Sequence, residues 1–313
     1  MKLFNRHGDG GTEIVTAIGL ISNDVDFSKW EPVLPLGIRD VTAIIGPEPV
    51  QALAEFYDGD FVDGNTAMPE ALAHLQQAVA LFTWLKIIPT LDAQHDGTGR
   101  SRRLGENEKG LTALQEYKDE RNILQMAYEA VDALIEVMDR EEFEFWTGSR
   151  KYRLRKGLLI QSKEEFDEYY TIGSHRLFVT LLPIIREVQG AQVAPVLGRY
   201  MPQLLAYEDR DITDLLREPA CRAVALLTMQ KAIERLPVEV IPEGVVQIQQ
   251  SQPVNSRLKA EQAARAAVAK SLGTDADRYI QTLQDLVAQL DAKDNTPDPS
   301  MTGPIVHSKG MTF

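Results

Sequence analysis

Apolar residues recur at three- and four-residue steps along most of the chain, the period of an amphipathic helix. Leu72, Leu75, Val79, Phe82 and Ile87 form one stripe. It predicts a helix that opens at Pro69 and ends before Pro89. Ile123, Ala127, Ala130, Leu134 and Val137 form a second stripe, on a long helix over 106–138. Ala276, Tyr279, Ile280, Leu283, Leu286, Val287 and Leu290 form a third, on a helix over 255–290 in which Gly273 marks an expected kink or break. Near the N-terminus, Gly8, Gly10 and Gly11 predict a mobile loop. Asp26 then caps a helix-like stretch that Gly46-Pro47 stops, and a short helix follows from Pro49 to Phe56.

The period changes over 143–160. Phe143, Phe145 and Trp146 precede Thr147-Gly148-Ser149, then Lys151-Tyr152-Arg153-Leu154-Arg155. That alternation predicts a small central β-hairpin with Lys151, Arg153 and Arg155 on one face. Ser162 and Glu165 have capping-box spacing for a short helix through Tyr170.

The chain then repeats itself. Phe27–Leu53 lies on Phe178–Leu205 with one inserted residue: Pro32 meets Pro183, and Ile44-Ile45-Gly46 meets Val196-Leu197-Gly198. Ala78-Val79-Ala80-Leu81-Phe82-Thr83 meets Ala223-Val224-Ala225-Leu226-Leu227-Thr228, and Lys86 meets Lys231. In each half a polar or extended stretch (92–105 and 238–252) leads into a long helix. The expected fold is mainly α: two tandem copies of a helical bundle over 1–140 and 162–290, each with a long closing helix. A linker with the hairpin over 141–161 joins them, and an extended arm over 291–313 follows, rich in Pro and Gly.

Charge narrows the function. The net charge is −13, which disfavours a broad grip on nucleic acid, because such affinity comes from neutralising phosphates. With Cys221 as the one cysteine, an intramolecular disulfide or a cysteine zinc cluster is excluded. No stretch approaches the ~18 consecutive apolar residues of a membrane span, so no membrane partner is expected. Five scattered histidines (His7, His74, His95, His175, His307) lack metal-ligand spacing. Ser149, His175 and Asp167 lack the sharp turn of a hydrolase nucleophile. No metal, cofactor or enzymatic activity is expected. Two basic clusters remain as candidate contacts to a partner or to DNA: Arg100, Arg102 and Arg103, and then Lys151, Arg153 and Arg155. In the arm, Ile305, Val306, Met311 and Phe313 are candidate docking residues.

These motifs resemble those of the head–tail connector (adaptor, neck) proteins of tailed bacteriophages and prophages. The resemblance rests on Ile44-Ile45-Gly46 and Val196-Leu197-Gly198 with their Ala-Val-Ala-Leu helices. It extends to Trp146, Ser149, Tyr152, Glu165-Phe166, Tyr169-Tyr170, Phe178, Leu181, Pro183 and Ile185. It covers about residues 1–290, and its motifs are packing motifs. It implies a virion structural protein, made in the host cytoplasm and sited in the neck. That protein would form a ring, usually of twelve copies, below the portal, extending the DNA channel to the tail. The implied partners are the chain itself, the portal, other neck or tail proteins and, non-specifically, DNA. The residues alone leave two other readings open: a non-viral helical-repeat module that binds protein, and a helical enzyme built on dispersed carboxylates.

Overall fold

The computed structural model describes residues 2–19, 25–59, 66–91, 93–96, 99–102, 112–236, 238–241, 244–247 and 255–294. It divides into two compact units. Unit 1 is Met1–Lys156 with Gln161–Asp167 and Thr171–Pro183; unit 2 is Gly157–Ile160, Glu168–Tyr170 and Ile184–Phe313.

Unit 1 opens with α1 (Gly10–Ile18), α2 (Phe27–Trp30), α3 (Leu34–Ile45) and α4 (Pro47–Asp58). Its central element is α5 (Ala67–Leu91), against which α1, α3, α4 and the long α6 (Ala113–Arg140) pack. Because neighbours surround it, α5 is buried without interruption from Ala78 to Thr83, wider than the single stripe its periodicity predicts. Gly37 of α3 permits the closest approach: a Cβ there would overlap Thr83 Oγ1 and lie 2.7 Å from the Val79 carbonyl. Trp30 stacks on Trp84 at 5.4 Å, and Phe82 meets Tyr128 edge-on at 5.6 Å. A capping box between Thr112 and Gln115 starts α6. Between α5 and α6, β1 (Ala93–Asp96) pairs antiparallel with β2 (Gly99–Arg102).

Three expectations are corrected in this unit. The 143–160 segment is not a hairpin but two single-turn helices, α7 (Glu144–Thr147) and α8 (Arg150–Arg153). Ser149 accepts the Tyr152 amide at 3.1 Å, an N-cap that favours a helical turn over the strand suggested by the alternating residues. Gly10 and Gly11 are not a loop but the first turn of α1, where a Cβ would strike the Phe27 ring or the Val25 carbonyl. Pro89 lies inside the last turn of α5 instead of beyond it.

The border between the units crosses α9 (Lys163–Tyr169) and α10 (His175–Val188). In unit 2, α10 runs into a π-turn (Gln189–Val193), α11 (Ala194–Leu197), a 3-10 turn (Gly198–Tyr200) and α12 (Met201–Ala206). Then come α13 (Arg210–Arg235), the antiparallel pair β3 (Val238–Ile241) and β4 (Gly244–Gln247), and α14 (Asn255–Asp294). The core lies chiefly between α13 and α14, around Cys221, Val224, Ala276 and Leu283. The Gln189 carboxamide accepts the Leu159 amide and donates to the Gly157 carbonyl, each at 2.7 Å. Arg217 donates to the Leu159 carbonyl at 2.9 Å. Side chains thus satisfy a segment with no ladder of its own. Gly273 does not break α14; it lies against the flexible end of Gln230.

Two segments, α5 and His175–Ala206, are long and apolar enough on average to cross a membrane by length and composition alone, although polar residues interrupt both. In this fold 56% and 50% of their apolar windows are buried inside the protein, as core helices are.

Candidate functional site

A polar cluster sits at the end of α6 in unit 1. Asp139 Oδ1 accepts the Trp146 indole N–H at 2.6 Å and one Arg155 amino group at 2.9 Å. Its Oδ2 accepts the other Arg155 amino group at 3.1 Å, completing a bidentate fork. His175 Nδ1 faces Oδ2 at 3.8 Å, and its Nε2 lies 3.6 Å from Glu164 Oε1. Arg155 is also enclosed by rings, 4.7 Å from the centre of Tyr152, 5.4 Å from Phe178 and 5.5 Å from Trp146. Burial acts to raise the Asp139 carboxyl, but His175, the Arg155 charge and the Trp146 bond together hold it below the ordinary aspartate range.

Chemically this is an anchor. The carboxylate accepts three hydrogen bonds and fastens Trp146 and Arg155 onto α6. The Arg155 side chain is only 5% exposed, so the expectation that it contacts a partner or DNA is corrected: its guanidinium is committed to Asp139. Ser149 and Asp167 are also engaged elsewhere. Ser149 caps α8, while Asp167 accepts the Ile172 amide at 2.7 Å and pairs with Lys163 at 2.9 Å.

The other predicted contacts divide. Arg153 is exposed and Lys151 half-buried, and they share the α8 turn with exposed Arg150. Among the described residues no carboxylate pairs with any of these three side chains. Arg100 and Arg102 lie on β2, opposite His95 and Ala93. Arg103 and the arm residues Ile305, Val306, Met311 and Phe313 lie outside the described residues.

Unit 1 also carries a cleft of ≈ 580 Å³ lined by Arg6, His7, Glu13, Tyr57, His74 and Gln76, among others. Tyr57 donates to Glu13 at 2.8 Å and accepts the Arg6 amide at 2.8 Å. Burial and the Glu13 carboxylate push the Tyr57 phenol far above its usual range. Burial lowers the His74 imidazole. Among the described residues no group of three or more His, Cys, Asp or Glu side chains is placed to hold a metal ion.

A family model described as a family of unknown function (DUF6712) matches residues 44–156 and 200–293, together more than half of the chain. The chain belongs to this family. No curated protein and no solved structure matches it. The first DUF6712 match runs from the end of α3 past α8 and contains Asp139, Trp146 and Arg155; the second runs from the start of α12 to the end of α14. His175 and Glu164 lie outside both matches. Sequence reasoning missed the Asp139 anchor. The one signal for it was Trp146, because a buried indole N–H requires an acceptor.

Proposed function

We propose that this DUF6712 chain is a virion structural protein: a ring-forming head–tail connector that binds below the portal and joins capsid to tail around the DNA channel, without catalysing a reaction. We infer with it that the chain is a tandem duplication of one helical unit.

The observation that carries this reading is a recurring order of elements. In each half, a buried Ile45 or Leu197 precedes a glycine in the left-handed region, Gly46 (φ 92°) or Gly198 (φ 51°). A short helix with proline in its first turn follows, α4 or α12. Then comes a helix of 25 or 26 residues whose Ala-Val-Ala run is fully buried, α5 or α13. A four-residue-per-strand hairpin and a long closing helix of 28 or 40 residues complete the series. The π-turn at Gln189–Val193 falls between Ile185 and Val196, the interval in which aligning the halves requires one extra residue. A π-turn is how a helix absorbs a single insertion without losing register on either side.

A connector suits such a chain because a closed ring repeats one modest interface many times, and the summed avidity holds the joint. The test is native mass spectrometry of the purified chain, alone and mixed with its cognate portal ring. A ring, or saturable binding of about twelve copies to the portal, is expected from closed symmetry. A chain that stays monomeric and ignores the portal refutes the reading in favour of a protein-binding module.

A further inference from the structure

The helices of unit 2 leave an apolar face partly open. On α13, Leu226, Met229, Ile233 and Leu236 fall at three- and four-residue steps, which puts them on one side of the helix. The first three are half-buried, and Leu236 is 39% exposed. On α14, Val268, Leu272 and Tyr279 also share one side. Val268 is 47% exposed and the other two are half-buried. The two faces lie side by side. Arg222, one turn before Leu226, sits over the Tyr279 ring at 5.8 Å, and a Cβ on Gly273 would lie 2.9 Å from the Gln230 carboxamide. With Arg222 beside Tyr279 and Gln230 beside Gly273, the helices run antiparallel, and Leu236 comes nearly level with Val268. Together they form a shallow apolar groove that runs about 17 Å from Tyr279 to Val268.

The matching face of unit 1 is covered from outside its helix pair. By the alignment of the two halves, Leu81 and Trp84 of α5 correspond to Leu226 and Met229. Leu81 is fully buried, and Trp30 of α2 stacks on Trp84 at 5.4 Å. An aromatic side chain carried by a separate segment therefore caps that face in unit 1. All three tryptophans belong to unit 1, so the unit 2 groove takes its cover from other apolar side chains.

We propose that residues 305–313 of the same chain fill this groove, with Ile305 and Val306 toward Tyr279 and with Met311 and Phe313 toward Leu236 and Val268. The length of chain beyond α14 allows it. From Asp294 back to the level of Tyr279 is about 23 Å along the helix, and back to Val268 about 39 Å. The chain from Asp294 extends to about 36 Å at Ile305 and about 63 Å at Phe313, which leaves length for the reversal. The segment reads Ile-Val-His-Ser-Lys-Gly-Met-Thr-Phe, apolar at both ends. Those ends lie about 20 Å apart when extended, close to the length of the groove. Tethering selects this occupant over a free peptide: a segment joined to α14 reaches the groove at millimolar effective concentration, so a shallow site suffices.

Hydrogen–deuterium exchange of the full-length chain, read by mass spectrometry on peptides within 301–313 at several protein concentrations, tests this with two variants. Leu236→Lys/Val268→Lys spoils the groove at side chains that are already exposed, so the fold survives. Met311→Ser/Phe313→Ser spoils the segment that fills it. The wild-type amides over 305–313 are expected to exchange about tenfold or more slowly than those of either variant, at every concentration. Unprotected exchange in the wild type overturns the docking. Protection that survives Leu236→Lys/Val268→Lys overturns the groove as its seat. Protection that rises with protein concentration puts the segment of a second copy in the groove and overturns the intrachain contact. Each of these outcomes leaves the ring reading to portal binding, which tests it separately.

Discussion

Asp139→Asn keeps the shape of the α6 anchor and removes its charge. The Arg155 side chain is 5% exposed and that of Asp139 18%, so the change strands a guanidinium in a largely dry site. Removing one partner of a buried ion pair costs about 3–5 kcal/mol. The partial exposure of Asp139 and the three rings around Arg155 put this case near about 3 kcal/mol. Arg155→Met leaves the carboxylate with its Trp146 bond and the nearby His175, and should cost about 2 kcal/mol. The double variant removes both charges and should lose far less than the two single losses added together, a coupling of about 2 kcal/mol. The assay is built into the sequence: all three tryptophans, Trp30, Trp84 and Trp146, belong to unit 1. Tryptophan fluorescence in urea therefore follows unit 1 alone. At a slope of about 2 kcal/mol per molar, Asp139→Asn should lower the urea midpoint by about 1.5 M. A loss below about 1 kcal/mol, or single losses that simply add, refutes the anchor.

Three further outcomes follow from the same geometry. Gly37→Ala should destabilise unit 1 by about 2 kcal/mol or more, since its methyl overlaps Thr83 and the α5 backbone. Gly273→Ala should instead be neutral or stabilising by up to about 1 kcal/mol, because only the movable Gln230 side chain is in the way; thermal melts of the two compare them directly. Tyr57→Phe removes the hydroxyl that joins Glu13 to the Arg6 amide and should cost about 1–2 kcal/mol by the same fluorescence assay. Because the folded Asp139 carboxyl is held below its ordinary 3.8, its stabilisation is complete above that value and is lost as pH falls through the folded value. The wild-type midpoint should thus drop more steeply than that of Asp139→Asn below about pH 4, and parallel curves would remove Asp139 as the cause.

The sequence by itself determined most of the helices. The stripes that include Leu75 and Val79, Ile123 to Val137, and Tyr279 to Leu290 lie on α5, α6 and α14. Such periodicity is written in contiguous residues, as is the stop at Gly46, so local pattern suffices to read it. The 143–160 segment was illegible for the opposite reason. Its alternation favours a strand, but Ser149 caps a helical turn, and Arg155 turns inward to a carboxylate 16 residues earlier. Only the tertiary structure brings Asp139, Trp146, Arg155 and His175 to one point, and only it separates a committed Arg155 from an exposed Arg153. Residue type fixes which charges a chain carries. Whether each is spent on the fold or left for a partner depends on contacts between distant segments, which no periodicity records.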